Sequence, residues 1–256
     1  EKYVHKGELV VPMAQNLGAP NQPVVKKGDS VLVGQKLGST DAFVSAPVLS
    51  SVSGTVKEVG LKMTSSGTLE MCVTVENDGR YEKDPSWAPL ADYENADPKE
   101  YVKRIREAGI VGFGGATFPT AVKLSPPPDK NIEWLIVNGV ECEPYLNCDN
   151  RLMLENGYKI VEGLKLIMRI FPSAKGVIAI ENNKPEALAA MTELAAKSGC
   201  ENISVKALNV KYPQGAEKML IEALTGREFV MTALPADVGC IILNVRTVCQ
   251  IRDAIV

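Results

Sequence analysis

Trp134-Leu135-Ile136-Val137-Asn138-Gly139-Val140-Glu141-Cys142-Glu143-Pro144 opens with four apolar residues in a row and closes on a loop fixed by glycine and proline. An unbroken apolar strand is what a sheet covered on both faces requires, since side chains pointing either way are buried. Downstream, Leu152, Ile160, Val161, Leu164, Ile167, Met168 and Phe171 recur on one side of a long helix, with Asp149 expected as its N-cap. The alternation then repeats: strand 176–180, Ala-rich helix 184–197, strand 203–208, helix 215–224 stopped by Gly226, strand 240–245. Strands alternating with helices of this length predict right-handed crossovers and a mainly parallel α/β sheet. Ligands of such sheets sit at the carboxyl ends of the strands.

Upstream the pattern changes. Residues 1–78 read as all-β, with short alternations such as Leu9-Val10-Val11 and Val31-Leu32-Val33 broken by Gly-Asp, Pro and Gly-Ser. Residues 79–98, with three prolines and no sustained period, read as a linker. A helix should follow, with Asp97 as N-cap, Pro98 at its first position and Gly109 as its stop. The expected division is therefore 1–78, a linker at 79–98, and an α/β domain at 99–256.

The whole chain of 256 residues carries a formal net charge of -3 and no dense Lys/Arg cluster, which gives no support for nucleic-acid binding. No run approaches the ~18 apolar residues of a transmembrane segment. The six cysteines, at 72, 142, 148, 200, 240 and 249, include no C-x-x-C pair, which argues against a zinc or iron–sulfur site built from this chain alone. His5, the only histidine, reads as a surface residue. A start at Glu1 without methionine, and an end just inside an apolar segment, lead us to expect a fragment of a longer protein.

Four motifs fall at strand or helix ends. The first is Gly112-Phe113-Gly114-Gly115-Ala116-Thr117-Phe118-Pro119-Thr120-Ala121-Val122-Lys123. Its bare backbone can approach a ligand closely, and successive N–H groups can form an anion-binding concavity suited to a phosphorylated cofactor. A glycine-rich turn between two elements is the plainer reading. The second is Asn138 to Pro144, whose Asn and two carboxylates can accept hydrogen bonds from ribose hydroxyls or a ring N–H, or simply form a solvated acidic loop. The third, Lys211-Tyr212-Pro213-Gln214-Gly215-Ala216-Glu217-Lys218, opens a helix whose N-terminus favours a phosphate, or is a capping turn. The fourth is Asn244-Val245-Arg246-Thr247, at the end of the last strand. Cys142, between two acids, is not proposed as a nucleophile.

Two phrases in the first segment, Lys27-Gly28-Asp29-Ser30-Val31-Leu32-Val33-Gly34-Gln35 and Ala46-Pro47 through Gly54-Thr55-Val56, resemble those of biotinyl and lipoyl carrier domains, which are barrel-sandwich hybrids. Where those domains hold their modified lysine, this chain reads Asp41-Ala42-Phe43-Val44-Ser45, so the fold is expected without the swinging arm. The glycine-rich loop is similar to that of the FMN-carrying, NADH-binding subunit of respiratory complex I. The match extends further to the C subunit of Rnf ferredoxin:NAD oxidoreductase complexes, through Ala116 to Thr120, Asn138 to Tyr145, Asp149 to Glu155, Glu181 to Ala187 and Tyr212 to Lys218.

That resemblance implies a barrel-sandwich hybrid followed by a Rossmann-like FMN-binding domain. It implies FMN held by Gly112, Gly114, Gly115, Ala116, Lys123, Asn138, Glu141, Gly215, Glu217, Asn244 and Thr247, with Phe118 and Glu143 facing NAD(H). Hydride would pass directly between NAD(H) and FMN, and no acid–base residue is then required. It further implies 4Fe-4S clusters in a C-terminal region absent here, partner subunits of a membrane complex, ferredoxin as distal electron donor, and a peripheral place on the cytoplasmic side of the membrane. Thr117, Leu124-Ser125-Pro126 and Thr232-Ala233-Leu234-Pro235 depart from the complex I pattern. A cobalamin-reductase-like flavoprotein and a non-catalytic docking scaffold are the alternatives.

Overall fold

The computed structural model describes residues 7–113, 116–228, 230 and 232–256. Contacts divide the chain into two compact units. The first holds residues up to 95 together with 103–111 and 115–122; the second holds 96–102, 112–114 and 123–256.

In the first unit, seven strands form two antiparallel sheets. These are β1 (Gly7–Pro12), β2 (Gln22–Pro23), β3 (Ser30–Val31), β4 (Lys36–Ser39), β5 (Val48–Leu49), β6 (Gly54–Met63) and β7 (Leu69–Asn77). The sheet orders are β1-β7-β6-β3 and β2-β4-β5. Val31, Val56, Val73 and Val75 from one sheet meet Leu37 and Val48 from the other in a single core. The alternation of the sequence thus becomes a sandwich, with the apolar faces of the two sheets turned toward each other. Gly54 is required by close approach, since a Cβ there would lie 1.9 Å from Glu76 O. The segment after β7 stays with this unit: Val33 bridges Lys83, and the Trp87 indole donates to Gly34 O at 2.9 Å.

Helix α1 (Pro98–Glu107) begins and ends as its sequence predicts. Asp97 Oδ1 accepts from Lys99 N at 2.9 Å, and Gly109 takes φ +63 just beyond the end. A single turn, α2 (Thr120–Lys123), follows the glycine-rich loop.

The second unit alternates β8 (Trp134–Gly139), α3 (Cys148–Ile170), β9 (Lys175–Glu181), α4 (Pro185–Lys197), β10 (Ile203–Leu208), α5 (Glu217–Thr225), β11 (Cys240–Asn244) and α6 (Val245–Ile255). Its sheet is parallel throughout, in the order β10-β9-β8-β11. Leu220 and Ile221 of α5 pack with Ile136, Ala179 and Ile242 on one face. Helices α3, α4 and α6 contact the strands as well, which is why Trp134–Val137 had to be apolar without interruption. Helix α3 starts one residue before the predicted cap. Asn147 stands at the N-cap position without a side-chain bond, and Asp149 lies inside the first turn because another carboxylate does the capping, as described next.

Candidate functional site

From β8 the chain runs outward to β9 and β10, then returns to lay β11 on the other side of β8. The order reverses between β8 and β11, and Asn244, the last residue of β11, is the register partner of Asn138, the last but one of β8. At such a reversal the flanking loops leave in opposite directions and open a crevice. Two of the four sequence motifs therefore begin side by side at the reversal, where sheets of this kind bind their ligands.

Hydrogen bonds bring the other two motifs to the same edge. Asn138 Nδ2 donates to Gly215 O at 2.9 Å, and its Oδ1 accepts from Val140 N at 3.0 Å. The Lys123 ammonium donates to Glu217 Oε1 at 2.6 Å and to Ile242 O of β11 at 3.3 Å. Phe113 N donates to Thr247 Oγ1 at 3.0 Å, and Thr247 is buried. Asn244 has two tasks: its Oδ1 accepts from Arg246 N at 2.8 Å, capping α6, and its Nδ2 donates to Asp149 Oδ2 at 2.7 Å. Gly112, Lys123, Asn138, Glu141, Gly215, Glu217, Asn244 and Thr247 thus all belong to the second unit and line the loops of its carboxyl edge.

Glu141 is the buried anchor of this edge. Its carboxylate accepts from Asp149 N at 3.0 Å and Asn150 N at 3.3 Å, satisfying two free donors in the first turn of α3. It also accepts the Cys148 thiol at 3.4 Å and lies 3.5 Å from the Lys184 ammonium. The glutamate arm reaches from the β8 loop to a helix start that the shorter Asp149 cannot cap from within it. Glu141, Cys148 and Asp149 bring ligand atoms within 4.8 Å of one another, but Lys184 already supplies the positive charge there. Burial pushes the Cys148 thiol up, and its bond to Glu141 adds to this, so it is held as a thiol. Burial likewise raises the Asp149 carboxyl, with the Asn244 bond opposing and the Glu141 charge adding.

Two side chains at this edge are buried without partners. Glu181, at the end of β9 and 1% exposed, has both carboxylate oxygens unpaired, and Gln214 Nε2 is unpaired in the loop before α5. An unmet donor at Gln214, just before the N-terminus of α5, and unmet acceptors at Glu181, at the end of β9, fit a ligand that carries both a phosphate and a polar ring edge, as FMN does.

Burial raises the Glu181 carboxyl, Lys184 opposes, and Glu141 adds. A folded pKa above the unfolded one means the folded state binds more protons. The resulting stability is present below the ordinary carboxylate range and is lost as pH rises through the raised value. Glu181→Gln should therefore match the parent near pH 4 and exceed it at pH 8 by ~1–3 kcal/mol, the usual cost of an unsatisfied buried group. Urea unfolding of the ligand-free chain at both pH values reads this.

Ala116 and Phe118 fall in the first unit, where Thr117 Oγ1 donates to Gln15 O at 3.2 Å. Gly114 and Gly115 lie outside the described residues. Glu143 is exposed on the β8–α3 loop. Glu181, Lys184 and Gln214 carry no individual signal in the sequence, although they lie within Glu181 to Ala187 and Tyr212 to Lys218, two of the phrases on which the resemblance rests.

Residues 105–253 match the Nuo51 FMN-binding domain family, and residues 1–80 match the RnfC barrel-sandwich hybrid domain. The chain is 46% identical over 97% of its length to the C subunit of the Na(+)-translocating ferredoxin:NAD(+) oxidoreductase complex of Acetobacterium woodii, covering 56% of that protein. It is 46% identical over 97% of its length to the proton-translocating counterpart of Clostridium ljungdahlii, covering 54% of it. To the C subunit of the ion-translocating oxidoreductase complex of Pseudomonas aeruginosa it is 39% identical over 96% of its length, covering 32%. The chain thus spans about half the length, or less, of these relatives. The fold is also that of part of an NAD+-reducing [NiFe]-hydrogenase in its H2-reduced state, with TM-score 0.54 and 24% identity over 66% of this chain and 33% of that one. With its parallel sheet, its reversal at Asn138 and Asn244 and these matches, the chain belongs to the Nuo51 FMN-binding domain family, preceded by a barrel-sandwich hybrid of the RnfC type.

Proposed function

We propose that this chain is the FMN- and NAD(H)-binding part of a ferredoxin:NAD+ oxidoreductase subunit in a membrane-associated complex. The carrying observation is the meeting of Asn138 and Asn244 at the sheet's reversal, within a chain so similar along its length to subunits bearing that name. FMN, when bound, supplies a ring that exchanges hydride with NAD(H). The protein's part is to bind, orient and exclude water.

In this reading Lys123 and the backbone of Gly112, Gly114, Gly115 and Ala116 take the phosphate side, with Gly215 and Glu217 at the start of α5. Asn138, Asn244 and Thr247 meet polar groups of the ribityl chain and ring from the crevice floor. Glu141 holds the β8–α3 loop from beneath, and Phe118 and Glu143 serve NAD(H). Electrons would reach the cofactor from iron–sulfur clusters elsewhere in the full-length protein, with ferredoxin as donor, other subunits as partners, and the cytoplasmic side of the membrane as location.

The test is spectroscopic. The chain incubated with FMN and freed of excess should be yellow, and NADH added without oxygen should bleach the flavin absorbance. A protein that stays colourless after FMN overturns the reading.

A further inference from the structure

The connection between β4 and β5 contains Asp41 to Ser45, the stretch that stands where the carrier domains hold their lysine, and here it is strapped down. Ala19 N donates to Val44 O at 3.0 Å, Ser45 Oγ to Ala19 O at 2.9 Å, and Asn21 Nδ2 to Ala46 O at 2.9 Å. Just beyond α1 only glycine fits against the same connection, since a Cβ at Gly109 would lie 2.6 Å from Pro47 O. Between this connection and the end of α1 lies a cavity of about 410 Å³, lined wholly by residues of the first unit. Its size falls in the range of about 300–1,000 Å³ that small-molecule sites occupy. The strapped walls make it pre-formed.

Four charged side chains line it. Lys36 pairs with Glu107. Arg106 donates from Nη1 to Phe43 O at 3.2 Å and lays its guanidinium over the Phe43 ring, 5.7 Å from the centroid. Among the described residues no carboxylate pairs with Arg106, and Asp41 has no ion-pair partner. A guanidinium carries five donors in a fixed fork that matches a carboxylate, and stacking holds its plane. Beside that fork the Phe43 ring is 59% exposed and offers an apolar surface.

The balance of charge selects among anions. Lys36 and Arg106 offset Asp41 and Glu107, so the lining is formally neutral. One unpaired guanidinium matches a single negative charge, whereas a phosphate dianion brings a second against a lining that already holds two carboxylates. We propose that this cavity binds a monoanionic carboxylate carried on an apolar or aromatic body, with Arg106 taking the carboxylate and Phe43 the body.

Benzoate is the probe. Saturation-transfer NMR of benzoate with the full-length subunit should show saturable binding in the millimolar range. Phenyl phosphate should bind about fivefold more weakly, the effect of one added repulsive charge near the surface. Arg106→Gln, which can still donate to Phe43 O, should weaken benzoate about 10- to 100-fold, as loss of a charged hydrogen bond does. Phe43→Ala, a truncation of an exposed ring, should weaken it about 2- to 10-fold through the lost aromatic contact. Thermal unfolding shows whether each variant is folded, and if Arg106→Gln is not, Phe43→Ala decides. A parent that binds no benzoate, binding that survives both changes, or phenyl phosphate held more tightly than benzoate overturns the proposal.

Discussion

Replacing Glu141 with alanine is expected to lower the unfolding free energy by about 3–5 kcal/mol, the range for breaking one side of a buried ion pair. Three losses combine. The Lys184 ammonium, with a side chain only 14% exposed, is left without its carboxylate 3.5 Å away. The backbone N–H groups of Asp149 and Asn150 lose their acceptor at the start of α3. The Cys148 thiol loses its acceptor too. Glu141→Gln keeps an oxygen for the helix and removes the charge, so it should fall between, at about 1–2 kcal/mol, the scale of a single hydrogen bond. Urea unfolding with an unchanged m-value would show that the loss lies in the folded state. A Glu141→Ala chain as stable as the parent would mean that the carboxylate is not the anchor of this edge.

Lys123→Ala should have the opposite profile, with a small effect on stability and a large one on flavin. In the ligand-free chain Lys123 pairs with Glu217 at 2.6 Å, but their side chains are 25% and 45% exposed. Such a pair contributes about 0–1 kcal/mol. An ammonium bonded to a phosphate or ring oxygen is worth more, about 1.5–3 kcal/mol for a hydrogen bond to a charged group. The FMN dissociation constant should therefore rise about 10- to 150-fold while the unfolding midpoint barely moves. Flavin fluorescence quenching reads the first and thermal unfolding the second. A variant that binds FMN as tightly as the parent would remove Lys123 from the cofactor site.

These two residues mark how far the sequence can be read. Helix α1 is legible at both ends because its signals are local: Asp97 bonds an N–H two residues away, and Gly109 relieves a left-handed φ at its own position. The strands of the α/β unit are legible because burial on both faces writes itself as an apolar run. The start of α3 is not, because its cap comes from Glu141, eight residues before the N–H that it bonds. A cap supplied from a separate loop leaves no fixed spacing to recognise. Glu181 and Gln214 escape notice for a related reason, since polar residues near the end of a strand and in a loop look solvated until the fold buries them.

By itself, then, the sequence determined the kinds of element and their order, two differently built halves, and four motifs at element ends. It did so because period, caps and turn residues are properties of neighbours along the chain. Which ends meet was decided only by the tertiary structure. Strand pairing set β11 beside β8 and brought Asn244 level with Asn138 across more than a hundred residues, and hydrogen bonds drew Gly215, Lys123 and Phe113 to the same edge. The cost of closing such long loops grows only slowly with their length, so the partners were free to lie anywhere in the chain.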